Sequence, residues 1–226
     1  MKTIALVPMK LNSCRLPNKN IKSFTNGEPL CKYILRTLQE VQGIDEIYVY
    51  CSNPKIRDFL PSGIKYLSRS KELDMDSASM TDVLTAFAQD ISADVYVMTH
   101  ATAPFIKASS IQKGLDAVLF GGYDSSFAAR KLQDFIWFDG KTLNYELEHI
   151  PRTQDLKPCL LETSGFYIYT NQVINNLKRR IGNNPYIVEV GEIEGIDIDE
   201  QEDFVIADAI FNYRIKRKNN EKNQGS

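Results

Sequence analysis

From Thr3 to Ala129, apolar runs of strand length alternate with stretches of helical spacing, and this alternation constrains the fold more than any other feature. Thr3–Val7, Glu46–Cys51, Lys65–Leu67, Asp94–Thr99 and Ser125–Ala129 read as strands. Between them, Leu30–Val41, Pro54–Leu60, Ser77–Asp90 and Ser109–Phe120 carry apolar residues at helical spacing. Strands separated by helices are joined by crossovers rather than hairpins, which predicts a three-layer α/β/α fold with a mostly parallel central sheet. Ligands of such sheets bind at the carboxyl ends of the strands.

The alternation breaks at Lys131. Phe135–Leu143 reads as a hairpin turning on Asp139-Gly140, and residues 144–160 are irregular and polar, so an arm is expected at about 131–163. Gly165–Thr170 follows as a strand and Asn171–Arg180 as a short helix stopped by Gly182 and Pro185. Tyr186–Val190 is a strand and Gln201–Arg217 a last helix. Residues 1–217 then form one domain and 218–226 a flexible tail.

The 226 residues, 43% of them hydrophobic, suffice for one well-buried core. The formal charge of −2 argues against a general nucleic-acid binder. No apolar run approaches the roughly 18 residues of a membrane span, and Ile4–Val7 is too short for a signal-peptide core, so a cytoplasmic location is expected. Cys14, Cys31, Cys51 and Cys159 show no Cys-x-x-Cys spacing and read as free thiols. Cys14, in the loop after the first strand, is either a reactive thiolate or an inert small side chain.

Two segments carry most of the chemistry. The first strand ends at Pro8 and opens into a loop holding Lys10, Arg15 and Lys19 before a helix begins near Pro29. Such a unit suits a phosphate, bound by backbone N–H groups and side-chain cations. The loop has no glycine, since the first in the chain is Gly27, so Asn12 is the candidate for a left-handed conformation. An ordinary basic surface loop is the alternative. The second segment is Ile196-Asp197-Ile198-Asp199. Strand periodicity places both carboxylates on one face, an arrangement suited to Mg²⁺ or Mn²⁺, which take oxygen ligands. Asp199 with Glu202 equally forms a capping box for the last helix.

The loop Pro8-Met-Lys10-Leu-Asn12-Ser13-Cys-Arg15-Leu-Pro17-Asn-Lys19-Asn20 resembles the nucleotide loop of the cytidylyltransferases that activate sialic acid, related nonulosonic acids and Kdo as CMP-sugars. Ser13, Arg15, Pro17, Lys19 and Asn20 match. Lys10 stands where the family has Arg, Leu11 and Asn12 where many members have a Gly pair, and Cys14 where Lys is frequent. Arg69 to Ser79 is similar to the stretch lying over the cytosine. Taken singly, Arg69 reads as a surface cation, and Asp76 or Ser77 as the N-cap of the following helix. Thr99-His100-Ala-Thr102-Ala-Pro104-Phe105 resembles a Gln-Pro-Thr-Ser-Pro-Leu-Arg turn, with His100 for Gln and Ile106 for Arg. His100 is placed as a substrate contact or as a polar cap on the sheet edge. Asp197 and Asp199 match the family's metal motif. Arg152–Pro158 and Glu162–Tyr167 resemble two acceptor segments, with Ser164 in place of Asn. The family's lysine for the acceptor carboxylate has no clear counterpart among Gln133, Asp134, Phe135 and Ile136, with Arg130 and Lys131 just upstream.

The resemblance implies a nucleotide-diphospho-sugar transferase-like fold, a homodimer joined through the arm, and Mg²⁺-dependent transfer of CMP from CTP to a small acidic acceptor. It assigns the nucleotide to Pro8, Lys10, Asn12, Ser13, Arg15, Lys19, Asn20, Arg69, Ala78 and Ser79. Catalysis falls to Lys10, Arg15, Lys19, Asp197 and Asp199, the last two holding the metal. The acceptor would meet His100, Thr102, Arg152, Gln154, Ser164 and Tyr167. A nonulosonic acid is the first acceptor, with Kdo or a phosphonate as alternatives. A GT-A-type glycosyltransferase and a non-catalytic CTP-binding homologue are the readings from other classes.

Overall fold

The computed structural model describes residues 1–224 except Cys14, so both readings of that thiol lie outside the described residues. The strands are β1 (Thr3–Met9), β2 (Glu46–Cys51), β3 (Ile64–Ser68), β4 (Val95–Thr99), β5 (Ser125–Leu132), β6 (Trp137–Phe138), β7 (Lys141–Thr142), β8 (Cys159–Thr170) and β9 (Pro185–Val190). The helices are α1 (Leu30–Gln39), α2 (Met80–Asp90), α3 (Ala108–Phe120) and α4 (Gln201–Gln224). Seven strands form one sheet in the order β3-β2-β1-β4-β8-β5-β9. Within it only β8 runs against its neighbours, antiparallel to both β4 and β5. The expected α/β architecture with a mostly parallel sheet is therefore present.

Helix spacing decides which face each layer covers. Cys31, Ile34, Leu35 and Leu38 of α1 and Ile111, Leu115 and Val118 of α3 pack against Ala5, Val7, Val49 and Val97 on one face of the sheet. Val83, Leu84 and Phe87 of α2 cover Ile4, Leu6, Tyr50 and Tyr96 on the other. A third cluster gathers Phe204, Ala207 and Phe211 of α4 with Leu16, Phe24, Leu30, Phe105 and Ile198. Two loop residues, Leu16 and Ile198, are thus anchored in the core beside the residues of chemical interest.

Several boundaries differ from the sequence reading. β1 runs past Pro8 to Met9; it pairs with β4 only from Thr3 to Leu6, so Pro8 lies beyond that ladder. Pro54–Phe59 is a 3₁₀ helix. α2 begins at Met80 rather than Ser77, because Ser79 and Asp82 form a complete capping box; neither Asp76 nor Ser77 is the cap. The helix after β8 ends in a π turn at Val173–Leu177, and Lys178, not Gly182, stops it in a left-handed conformation (φ 53°). α4 continues to Gln224 instead of ending at Arg217.

The hairpin is present as β6 and β7, with Asp139 and Gly140 both at positive φ (50° and 72°), as a type I′ turn requires. β8 is longer than expected because its first half pairs with β5 to make the base of the arm, from Ala129↔Glu162 to Leu132↔Cys159. Between Phe127↔Tyr167 and Ala129↔Glu162, the residues Thr163, Ser164, Gly165 and Phe166 stand opposite Ala128 alone. This bulge marks the point where β8 leaves β4 and turns outward with β5.

Candidate active site

The site forms at the carboxyl ends of β1 and β4, where the loop after β1, the turn after β4 and the stretch 191–203 meet. Three attachments position that last stretch. The Ile198 N–H donates to Thr102 O (2.9 Å). Buried Glu194 accepts from the Lys107 N–H (3.1 Å) and pairs with Lys107 Nζ (3.0 Å) at the start of α3, where a helix N-terminus favours a carboxylate. Ile198 is fully buried. Ile196–Asp199 joins no ladder and is not a strand, yet the alternation survives because Ile198 faces inward while Asp197 and Asp199 are half-buried. The capping box between Asp199 and Glu202 is not formed. Asp203 instead accepts from the N–H groups of Asp199 (2.9 Å) and Glu200 (2.8 Å), leaving the Asp199 carboxylate free for other partners.

Those partners are the loop cations. Lys19, only 9% exposed, donates to Asp199 Oδ1 (3.0 Å) and Ile198 O (2.9 Å). Arg15 Nη2 lies 2.8 Å from the same carboxylate oxygen. Burial would raise the Asp199 pKa, but the hydrogen bond and charge of Lys19, with those of Arg15, hold it below the usual carboxylate range. Asp199 in turn raises the Arg15 guanidinium. Asn20 Nδ2 donates to Lys10 O (2.9 Å), tying the two ends of the loop. Asn18, not Asn12, takes the left-handed conformation there (φ 56°). Lys10, Ser13, Arg15, Lys19, Asn20 and Asp76 line a cavity of about 350 Å³.

Asp197 differs from Asp199. Its Oδ1 is buried with no hydrogen-bond partner among the described residues, as is Ser164 Oγ. Both residues line a neighbouring cavity of about 380 Å³, together with Glu162, Asp203 and Arg130. An orphaned buried carboxylate oxygen is costly unless a cation or donor completes it. Among the described residues no group of three His, Cys, Asp or Glu side chains gathers into a cage for a metal ion. One or two carboxylates with room for phosphate and water fit Mg²⁺, which seldom takes an all-protein shell.

His100 and Tyr167 lie within electrostatic reach of Asp197. Their rings meet edge to face, with centroids 6.5 Å apart. Burial is the main cause that pushes the His100 pKa down to about 4, so its imidazole is neutral at pH 7. The buried Tyr167 hydroxyl donates to Glu162 Oε1 (2.5 Å), and burial with this contact raises its pKa.

Other predicted residues lie apart. Arg69 is buried rather than a surface cation, donating through Nε (3.1 Å) and Nη2 (2.6 Å) to Asp74 Oδ1. Lys10 Nζ reaches the adjoining loop at Asp74 O (3.3 Å). Ala78 is half-buried, and Ser79 is engaged in its cap. Asn12 is exposed and lines a separate cavity with Ser52, Lys71 and Asp74. Arg152 and Gln154 are exposed on a 3₁₀ turn of the arm, where Arg152 pairs with Asp155 (2.7 Å).

Glu162, Gly195 and Arg180 were not among the expected site residues, although Glu162 opens one of the acceptor-like segments. Gly195 admits Arg130, whose Cγ and Cδ would lie 2.9 Å from an added Cβ. Arg180 lies with its guanidinium 3.8 Å from the centre of the Tyr167 ring, and its Nη2 donates to Glu162 (2.9 Å). Short-range periodicity contains no sign of either contact.

Residues 4–174 match the family described as cytidylyltransferase. An N-acylneuraminate cytidylyltransferase A of Danio rerio is 26% identical over 214 residues, 90% of this chain and 49% of its own length. An N-acylneuraminate cytidylyltransferase of Streptococcus agalactiae serotype V is 24% identical over 233 residues, 97% of this chain and 56% of its own. The chain thus spans about half the length of these two curated relatives. A solved CMP:2-keto-3-deoxy-manno-octonic acid synthetase, complexed with CTP, superposes with a TM-score of 0.73 at 16% identity, covering 95% of this chain and 100% of that one.

Proposed function

This chain belongs to the cytidylyltransferase family, and from that premise we propose that it transfers CMP from CTP to a hydroxyl of an acidic sugar, releasing pyrophosphate. A nonulosonic acid such as a sialic acid is the proposed acceptor. The observation that carries the reading is the presence of two unlike carboxylates beyond the carboxyl ends of the central strands β1 and β4. Asp199 is neutralised by Arg15 and Lys19, while Asp197 keeps a buried oxygen without a partner.

In this reading Lys10, Arg15 and Lys19 hold the triphosphate, with Ser13 and Asn20 shaping the loop, and the base lies against Arg69, Ala78 and Ser79. Asp197 and Asp199 would hold Mg²⁺ or Mn²⁺, which when bound would neutralise phosphate charge and acidify a nearby hydroxyl. The acceptor sits against His100, Ser164 and Tyr167. Its hydroxyl oxygen attacks the α-phosphorus in line, the bond to the bridging β-phosphate oxygen breaks, pyrophosphate leaves, and the hydroxyl proton passes to solvent. The protein's part is positioning and charge stabilisation, with no covalent intermediate on a side chain. Neutral His100 adds no charge there and offers a hydrogen bond. A second copy of the chain joins through the arm, whose Trp137, Phe138, Leu147 and Ile150 are exposed.

The test is pyrophosphate release with Mg²⁺, each of CTP, UTP, ATP and GTP, and a panel of sialic, pseudaminic, legionaminic and Kdo acids with small phosphonates. Release with CTP and one of the sugar acids is expected. Release with a phosphonate alone would move the acceptor class. CTP binding without release from any pair would make the chain a CTP-binding homologue instead.

A further inference from the structure

Resting on that reading, we propose that Arg180 is the residue that recognises the acceptor's acid group, supplying from beside Tyr167 and Glu162 of β8 the cation that Gln133–Ile136 lacks. An anionic acceptor held in a partly buried site needs a cation or several strong donors. The segment Gln133–Ile136, before the hairpin, provides no cation, and Gln133 is occupied by Gln154 O (2.9 Å) and Leu156 O (3.1 Å).

Five other cations around the site face carboxylates elsewhere, while Lys131 lies out on the arm strand opposite Leu160. Arg15 and Lys19 serve Asp199, Arg69 serves Asp74, and Arg130 pairs with the exposed Glu192. Arg152 pairs with its neighbour Asp155 on the arm.

Arg180 also has a carboxylate partner, Glu162, but its position differs. It lies over Tyr167, whose ring edge-packs with His100, and both His100 and Tyr167 lie within electrostatic reach of Arg180 and of Asp197. Arg180 therefore stands on the same cluster as the carboxylate proposed to hold the metal. Its partner Glu162 lines the cavity that contains Ser164 Oγ and Asp197 Oδ1. One guanidinium nitrogen meets Glu162, and the group has further N–H donors. The planar fork of a guanidinium matches a carboxylate in two parallel hydrogen bonds, which a lysine cannot reproduce. Contact with the Tyr167 ring, its centre 3.8 Å from the guanidinium carbon, restrains that fork, and its charge favours a carboxylate over a neutral group of similar size.

The experiment compares wild type, Arg180→Ala, Arg180→Gln and Arg180→Lys. The substrate is whichever of N-acetylneuraminate, pseudaminate or Kdo the wild type turns over best. The methyl ester of that acid is assayed as substrate or inhibitor, and the KM for CTP is measured in parallel. We expect the KM for the acid to rise about tenfold or more in the Ala and Gln variants, the scale of a lost hydrogen bond to a charged group. The ester and CTP constants should stay near wild type, and Lys should restore part of the loss. Equal rises for acid and ester would assign Arg180 a purely structural role and overturn the proposal, as would an unchanged KM for the acid. Should Ala fail to fold, Gln, of similar length, decides the matter. Absence of pyrophosphate release by wild type with every acid would overturn the functional reading itself, and the role of Arg180 with it.

Discussion

At the scale of single residues, Asp197 combines a stability cost with a proposed function. A buried carboxylate oxygen with no partner weakens the free chain, so Asp197→Asn should leave the thermal midpoint unchanged or raised. The same change should reduce CTP-dependent pyrophosphate release by about 100-fold or more, on the scale of lost electrostatic stabilisation. Activity like that of wild type in this variant would remove the metal assignment. Lys19→Ala withdraws the buried cation that donates to Asp199 and Ile198 O, and should raise the Kd for CTP about tenfold in a calorimetric titration. His100 gives a pH signature. Its folded pKa of about 4 lies below the ordinary value of about 6.5, so as pH falls the unfolded chain binds the proton first. Its contribution to stability is complete above about pH 6.5 and is lost on the way down to about pH 4. His100→Gln should flatten that part of the stability profile in denaturant titrations, whereas an unaltered profile would assign the slope to other groups.

At the scale of elements, the site depends on how the stretch before α4 is held. Asp203 accepts two N–H groups from residues that have no ladder, including that of Asp199 itself. Asp203→Ala should therefore cost about 1–2 kcal/mol, in the range for a lost helix cap, in chemical denaturation. A loss in CTP affinity is expected with it, because the Asp199 backbone would no longer be fixed; full stability and affinity together would count against this role. Legibility divides at the same scale. Ile4–Val7, Glu46–Cys51 and the stripe Leu30, Ile34, Leu35, Leu38 were readable because burial on one face imposes a short period on the sequence. The Asp139-Gly140 turn was readable because few other pairs accept positive φ at both positions. The loop cations and the carboxylates at 197 and 199 were readable as chemistry with a recognisable spacing. The bulge at Thr163–Phe166 was not, since its register depends on strands distant in sequence. Arg180 was missed for a similar reason, as it meets its partners Tyr167 and Glu162 of β8 only once the chain has folded back on that strand. A capping box from Asp199 and Glu202 was the alternative reading because both residues suit one, and only the path of the backbone brings Asp203 to those N–H groups instead.

At the scale of the whole molecule, the two halves of the proposed site rest on different parts of the fold. The cationic loop follows β1 at the centre of the sheet and is clamped to the stretch before α4. The side facing the acceptor is built on β8, whose outer half continues into the arm with β5. That arm exposes Trp137 (55%), Phe138 (72%), Leu147 (56%) and Ile150 (64%), more large apolar surface than a solitary chain usually leaves in water. With a second copy covering it, sedimentation should give twice the 25.7 kDa of one chain. Aromatic side chains commonly dominate such contacts, so the double variant Trp137→Ser, Phe138→Ser should sediment as a monomer. The consequence for activity should be uneven. CTP binding should stay within about twofold of wild type, since distant sites act nearly independently. Turnover of the acceptor should fall, because β8 would lose the support of its outer half. A variant that remains dimeric would place the interface elsewhere, and a monomer with unimpaired turnover would show that the arm and the acceptor side are not coupled through β8.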